Sequence, residues 1–274
     1  MTRRSGPRAG TYPIATGTAE LVPDRTDPAM WTLWVNGVPS SPVHLDDPRV
    51  LDFEYLQWMA DVLDVAGPPG PVDVVHLGGG ACALARHVDA VRPGSRQVVV
   101  ELDAELARRA REWFDLPRAP RLRLQTGDAR EGLARRRDAS ADAVVRDAFA
   151  GDRTPGHLTT AEFLRDVRRV LRPDGLYLAN VAGGAGDAGA RVLREEAATA
   201  GAVFGHVALL AEPAALRRRR WANAVLVASA EALPVRDLVR RASSGAVPAR
   251  LVHGDALTDL VAGARPRHDP TPPP

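Results

Sequence analysis

Three features of the chain predict an α/β fold: a mostly parallel seven-stranded sheet with an antiparallel last strand, preceded by a small β-hairpin domain. From Val72 onward, apolar runs alternate with amphipathic segments, as βαβ crossovers around a sheet buried on both faces require. "DVVHLGGGACALARHV", Asp73 to Val88, runs an apolar strand into three consecutive glycines, a strand-to-helix turn that lets a ligand approach the backbone. "WTLWVNGVPSSPVHL" sets Asn36-Gly37 between two apolar flanks. Asn-Gly suits a two-residue hairpin turn because both residues tolerate positive φ.

In chain order, residues 1–16 carry arginines without the apolar run of a secretory signal and are expected to be a flexible N-terminus. Residues 17–50 form the hairpin domain. In "RVLDFEYLQWMADVLDVA" a helix is expected, with Leu51, Tyr55, Met59, Val62 and Leu63 on one stripe, and "GPPGP" ends it. Residues 51–232 hold the main domain. Its strands are "VDVVHLG", "SRQVVVELD", "RLRLQTGD", "DAVVRDAF" and "GLYLANVA", and its helices "ACALARHVDAV", "AELARRAREWF", "AREGLARR" and "TTAEFLRDVRRVL". "DAGARVLREEAATAGAVF" adds a helix. "HVALLAE" and "WANAVLVASA" have no full crossover helix between them and are expected to pair antiparallel. Residues 233–262 read as a helical extension and 263–274 as a disordered Pro-rich tail.

Composition narrows the function. At 274 residues, 45% hydrophobic and 26% charged, the chain is expected to be a soluble, cytoplasmic protein with no membrane partner. No apolar run approaches the roughly 18 residues a membrane span needs. A single cysteine rules out an internal disulfide framework. The basic residues are all arginine, the net charge is only +2, and "LRRRRW" (Arg217 to Arg220) lacks interleaved aromatics. A nucleic-acid partner is therefore not expected, and the arginine run reads as a solvated face. His87, His206 and His253 have no ligand spacing, so no metal is expected.

Ligands of open α/β sheets bind at the carboxyl ends of the strands. The first four parallel strands end in Gly78-Gly79-Gly80, Glu101-Leu102, Gly127-Asp128 and Asp147. Gly78, Gly80 and Ala83 fit G-x-G-x-x-A, which gives a tight turn and close helix packing. Glu101 stands near the spacing, about 20 residues on, at which an acid accepts from ribose hydroxyls. Asp128 suits an exocyclic amine such as adenine N6. Leu102 and Ala129, next to these acids, complete the expected nucleoside-binding set. An acid-rich rim with no basic residue before Arg86 favours an adenosylsulfonium over a pyrophosphate. Cys82 and His76 read as packed residues; Asn180, ending the fifth strand, is a candidate pocket wall.

These motifs, with "HLTTAEFLRDVRRVLRPDG" and the N-terminal "DFEYLQWM", resemble the spermidine synthase (polyamine aminopropyltransferase) family, itself on the Rossmann-like class I S-adenosylmethionine-dependent methyltransferase fold. The resemblance covers about Thr18 to Ala230. It implies Gln57 near the nucleoside, Gly78 to Gly80 against the ligand, Glu101 on the ribose, Asp128 at adenine and Asp147 at the pocket mouth. It also implies a small-molecule acceptor, an amine in the family, and a homodimer. The implied co-substrate is S-adenosylmethionine or its decarboxylated form.

Two departures bear on the reaction. Where the family runs its glycines into an aspartate that grips the aminopropyl amine, this chain has Ala81. Where the family's fourth strand continues to a second aspartate that helps deprotonate the amine, "DAFAGD" keeps Asp147 but has Ala150. Asp152, two residues on, substitutes only if the loop is rearranged, and His157, on the loop after the fourth strand, reads as a general base or a loop cap. The family's Tyr before Gln is Leu56 here, with Tyr55 one place earlier. Losing an acid at position 81 removes roughly 4 kcal/mol of attraction for an ammonium before desolvation, and frees the helix N-terminus for a carboxylate. Methyl transfer from S-adenosylmethionine is thus the first expectation. Aminopropyl transfer with Asp147 and Asp152 is the second, and a catalytically silent adenosine-ligand binder the third.

Overall fold

The computed structural model describes residues 6–183, 186–216 and 222–271. Four strands open the chain: β1 (Gly10–Ile14), β2 (Gly17–Pro23), β3 (Met30–Val35) and β4 (Val38–His44). They form one antiparallel sheet in sequential order. The N-terminal unit is thus a four-stranded meander rather than a hairpin, and β1 falls in the stretch expected to be flexible. The physical reason is lateral pairing: Gly10 to Ile14 find partners from Leu21 to Gly17, and Tyr12 packs on Trp113 with Arg109 over its ring.

The main sheet follows: α1 (Glu54–Ala66), β5 (Asp73–Leu77), α2 (Ala83–Val91), β6 (Arg96–Glu101), α3 (Ala104–Trp113), β7 (Leu122–Thr126), α4 (Ala129–Ala134), β8 (Ala141–Arg146), a 3₁₀ turn at Gly156–Leu158, α5 (Ala161–Val170) and β9 (Leu171–Gly183). Then come α6 (Gly186–Gly201), β10 (His206–Ala211), α7 (Pro213–Leu216), β11 (Ala222–Ser229), α8 (Val235–Ser244), β12 (Arg250–His253) and α9 (Gly254–Val261). The spatial order is β12-β10-β11-β9-β8-β5-β6-β7. From β7 to β9 the pairings are parallel, and β11, β10 and β12 add antiparallel.

The fold class is as predicted, with eight strands instead of seven. The extra strand, Arg250–His253, lies inside the segment expected to be helical. Four residues are too few to show a period, and they become a strand only by pairing along β10. The Arg217 to Arg220 run lies outside the described residues. The tail departs from expectation as well. Its backbone up to residue 271 has no regular structure, yet Arg267 holds Glu195 at 2.6 Å and Asp269 holds Arg130 at 2.6 Å. Polarity signals a solvated tail, and specific ion pairs override it.

The side-chain period of two divides the core. Val74, Ala143, Val145 and Leu178 face α1, α2 and α8. Val75, Val144, Tyr177 and Ala179 face α4, α5, α6 and α9. A third cluster joins the N-terminal sheet to α2 and α3. The same alternation separates neighbouring polar residues at the strand ends: Asp147 and Asn180 fall on the α1 side, Arg146 on the α6 side. No helix among the described residues is long and apolar enough to cross a membrane.

Candidate active site

The glycine turn after β5 is built by close backbone packing. The Gly78 N–H donates to Val100 O at 2.9 Å, and its φ is +96°. A Cβ there would lie 2.1 Å from Asp147 O, so only glycine lets β5 and β8 end side by side. Gly78→Ala is expected to destabilise the protein by about 2–3 kcal/mol, combining backbone strain with overpacking; a thermal melt checks it. Gly79 and Gly80 N–H groups donate to Glu101 Oε2 at 2.9 and 3.2 Å. The Ala81 N–H donates to Ser41 Oγ at 3.2 Å, so β4 closes over the turn. Cβ atoms at Gly79 and Gly80 would crowd Val99 at 2.8 Å and Ser41 at 2.5 Å. Cys82 adopts φ 58° at the start of α2.

Glu101 Oε1 accepts from the Asp103 N–H at 3.0 Å. A carboxylate has about four acceptor sites; three are taken here, and the vacant one on Oε1 suits a hydroxyl donor. Leu102, beside it, is 64% exposed, an apolar face open for a planar base. Asp103 caps α3 through Leu106 N and ties in Thr16 at 2.6 Å. At the next strand end Asp128 caps α4: Oδ1 accepts from Arg130 N at 2.8 Å and Glu131 N at 3.1 Å. Its Oδ2 pairs with His157 Nε2 at 2.8 Å. Burial raises the Asp128 carboxyl, but the Glu131 N–H and His157 outweigh it, and the net shift is downward. Ala129 is buried in the first turn behind it.

The third centre is a trio. The Tyr55 hydroxyl donates to Asp147 Oδ2 at 3.0 Å, and Asn180 Nδ2 donates to Oδ1 at 2.9 Å. Burial pushes the Asp147 carboxyl above its ordinary value, against the pull of Asn180, Tyr55 and the Arg146 charge. Burial and the Asp147 charge push the Tyr55 phenol well up, so it stays a donor. Asn180 is 3% exposed and its Oδ1 has no donor among the described residues, a cost unless a ligand supplies one. Ser41, Gly78, Gly79, Cys82 and Asp147 line a pocket between the glycine turn and β8.

Of the residues singled out from sequence, Glu101, Gly78, Gly79, Gly80 and Asp147 converge on that turn, with Asp128 at the neighbouring strand end. His157 holds Asp128. Asp152 lies in the exposed turn closed by the Ala150–Arg153 bridge and pairs with Arg153 at 3.8 Å. Turn geometry there directs the acid to solvent, so Asp147 has no second carboxylate partner in the trio. Gln57 donates from Nε2 to Leu51 O at 2.6 Å, bracing the entry to α1. The Ala81 and Cys82 N–H groups ahead of α2 are spent on Ser41 and Gly79 O, while no side chain caps the helix at Cys82. His76 bonds Gln97 at 2.9 Å, and burial lowers it to about 4. Burial, with the Glu101 charge next, raises the Cys82 thiol to about 12, which makes it inert. No metal-binding group of acids, histidines and cysteine occurs among the described residues. Sequence reasoning missed Ser41, and it noted Tyr55 one place before the family's tyrosine position without its contact to Asp147.

The donor set and the crowded glycine cradle fit an adenosine-type group: an open acceptor on Glu101, an acid at Asp128 and no Cβ in the turn. The family described as "Methyltransferase domain" matches residues 75–179. A probable spermidine synthase from Corynebacterium glutamicum, solved by crystallography, is 39% identical, with TM-score 0.88 over 97% of this chain and 98% of its own. A polyamine aminopropyltransferase of Vibrio vulnificus is 29% identical over 161 residues, 58% of this chain and 51% of that protein. An N-terminal histidine N-methyltransferase of Emericella nidulans is 30% identical over 55% of this chain and 28% of its own. The chain thus spans about half the length of the curated aminopropyltransferase it matches.

Proposed function

The chain belongs to the spermidine-synthase-like family on the class I methyltransferase fold, and from that premise we propose that it is an adenosylsulfonium-dependent transferase that alkylates an amine. The observation that carries this reading is the Tyr55–Asp147–Asn180 trio, in which a recessed carboxylate sits beside a buried amide oxygen lacking a donor. Both oxygens are acceptors, and the ligand group that satisfies two acceptors is an N–H-rich one. The bound sulfonium would supply an electrophilic carbon, whose C–S bond breaks as the new C–N bond forms and a neutral thioether leaves. Ionised Asp147 takes the proton from the incoming ammonium and leaves a nitrogen lone pair for attack. Tyr55 and Asn180 fix the carboxylate's direction, Glu101 receives a ribose hydroxyl, and Asp128 receives the base.

For the transferred group, methyl comes first. Ala81 is fully buried beneath Ser41, so no acid stands there to hold an aminopropyl ammonium. Aminopropyl transfer is the second reading, favoured by the 39% identity to a probable spermidine synthase over nearly the whole chain. Calorimetric titration with S-adenosylmethionine, its decarboxylated form and methylthioadenosine decides between them. S-adenosylmethionine is expected to bind at least as well as its decarboxylated form, and Glu101→Ala to weaken both about tenfold or more. Preference for the decarboxylated form in the unaltered protein gives the reaction to the second reading. Ala81→Asp is expected to shift the preference toward the decarboxylated form by about tenfold, a fraction of the roughly 4 kcal/mol unscreened attraction.

A further inference from the structure

Residues of the C-terminal tail are wired to the base-binding acid. The tail crosses α5 and α6, where Arg267 O accepts from the Ala161 N–H at 2.9 Å. The Arg267 N–H donates to Thr199 Oγ1 at 3.0 Å, and its guanidinium grips Glu195 at 3.0 and 2.6 Å. His268 Nδ1 pairs with Glu162 at 3.0 Å, and the Asp269 N–H donates to the same carboxylate at 2.9 Å. These anchors leave the Asp269 side chain facing α4, where it takes Nη1 and Nη2 of Arg130 at 2.8 and 2.6 Å. Such a two-point guanidinium–carboxylate pair fixes direction as well as distance.

From Arg130 the path divides and closes again on one residue. Its backbone N–H donates to Asp128 Oδ1 at 2.8 Å, while its Nη1 reaches His157 O at 3.4 Å. His157 in turn holds Asp128 Oδ2 at 2.8 Å. The two oxygens of Asp128 are thus set by different partners: Oδ1 by the start of α4, Oδ2 by the loop after β8. Without the second, a single oxygen is fixed and the other is free to turn about the first. Among the described residues the His157 ring bonds only Asp128 and its carbonyl takes Arg130, so its placement is tied to Arg130 and hence to Asp269.

Resting on the reading of Asp128 as the acceptor for the base edge, we propose that Asp269 is a positioning residue for base selection: through Arg130 and His157, it aims the free acceptor site of Asp128. The tail then contributes to which nucleoside is bound without touching it. The expected signature is selective. A carboxylate aimed at the base edge prefers adenosine, which offers an amine, over inosine, which offers a carbonyl. Glu101, in contrast, governs the preference for adenosine over dideoxyadenosine lacking both ribose hydroxyls.

The full chain, with Asp269→Asn and Asp269→Glu variants, is titrated with adenosine, inosine and dideoxyadenosine. In Asp269→Asn the adenosine-to-inosine preference is expected to fall about three- to tenfold, the worth of weakening a charge-assisted hydrogen bond. The adenosine-to-dideoxyadenosine preference is expected to stay unchanged, and Asp269→Glu to recover part of the loss. His157→Ala, at the far end of the path, is expected to give the same selective loss even if Asp269→Asn folds poorly. An unchanged base preference in both variants overturns the proposal, as does an equal fall in base and sugar preferences, which marks general loosening. Equal binding of adenosine and inosine by the unaltered protein overturns the assignment of Asp128 itself.

Discussion

Asp147→Asn is expected to lower turnover by about a hundred- to ten-thousand-fold, the usual contribution of a positioned proton acceptor, while leaving adenosine binding within a few-fold. Asn keeps the size of the side chain and can still accept from Tyr55, so the pocket stays formed. What it loses is the ability to take a proton from an ammonium. The pH profile gives the second signature. Burial raises the Asp147 carboxyl above its ordinary value, and only the ionised form is a base. Activity therefore falls on acidification at a pH above the ordinary carboxylate range, and rises again with pH. Tyr55→Phe removes a donor that favours the ionised form, so the acid limb is expected to move to higher pH. In Asp147→Asn that limb is expected to vanish. Single-turnover rates across pH with a simple amine acceptor check all three. A variant as active as the unaltered protein would remove Asp147 from the mechanism.

The largest stability effect is expected one residue earlier. Arg146 is 0% exposed and Glu196 4% exposed, and they meet at 2.6 Å beneath the end of β8. Arg146 Nη2 also donates to Asn180 O at 3.1 Å, and Nη1 reaches Leu158 O at 3.4 Å. The pair thus pins β8, β9, α6 and the post-β8 loop at the site's edge. Two of its polar atoms, Arg146 Nε and Glu196 Oε1, have no hydrogen-bond partner among the described residues, so desolvation is incompletely offset. Removing one member leaves a bare charge in the core, at a cost of about 3–5 kcal/mol. Arg146→Met and Glu196→Leu are each expected to lower Tm by roughly 6–20 °C. The double variant is expected to regain most of that, since a matched apolar pair carries no desolvation cost. A thermal-melt cycle over the four proteins checks it; additive losses would mean the two groups do not interact.

Much of the site could be read from the chain because strand ends announce themselves locally. Glycines after "VVHL", acid after "VVVE" and Gly-Asp after "LRLQT" are short-range patterns, and the parallel order then brings them to one edge. The contact of Tyr55 with Asp147 was hidden because a tyrosine in an apolar helix stripe looks the same whether its hydroxyl meets water or a carboxylate. For His157, a base candidate by its place on the loop after β8, the sequence names no partner, since it says nothing of the path that brings the ring to Asp128. Asp269 lay in a segment whose composition predicts solvation, and composition does not register a two-point pair with Arg130.

What the sequence determined alone is the alternation of strand and helix, the glycine turn that excludes any Cβ, and which acids end which strands. These depend on backbone sterics and on periods of two and 3.6, both of which are local. The tertiary structure decided which groups meet: Tyr55 and Asn180 on Asp147, Ser41 over Ala81, Arg146 on Glu196, and the tail on Arg130. Such pairings depend on how α1, β4 and residues 263–271 dock against the sheet. Docking energy is summed over many distant apolar contacts, so no single stretch of the chain contains it.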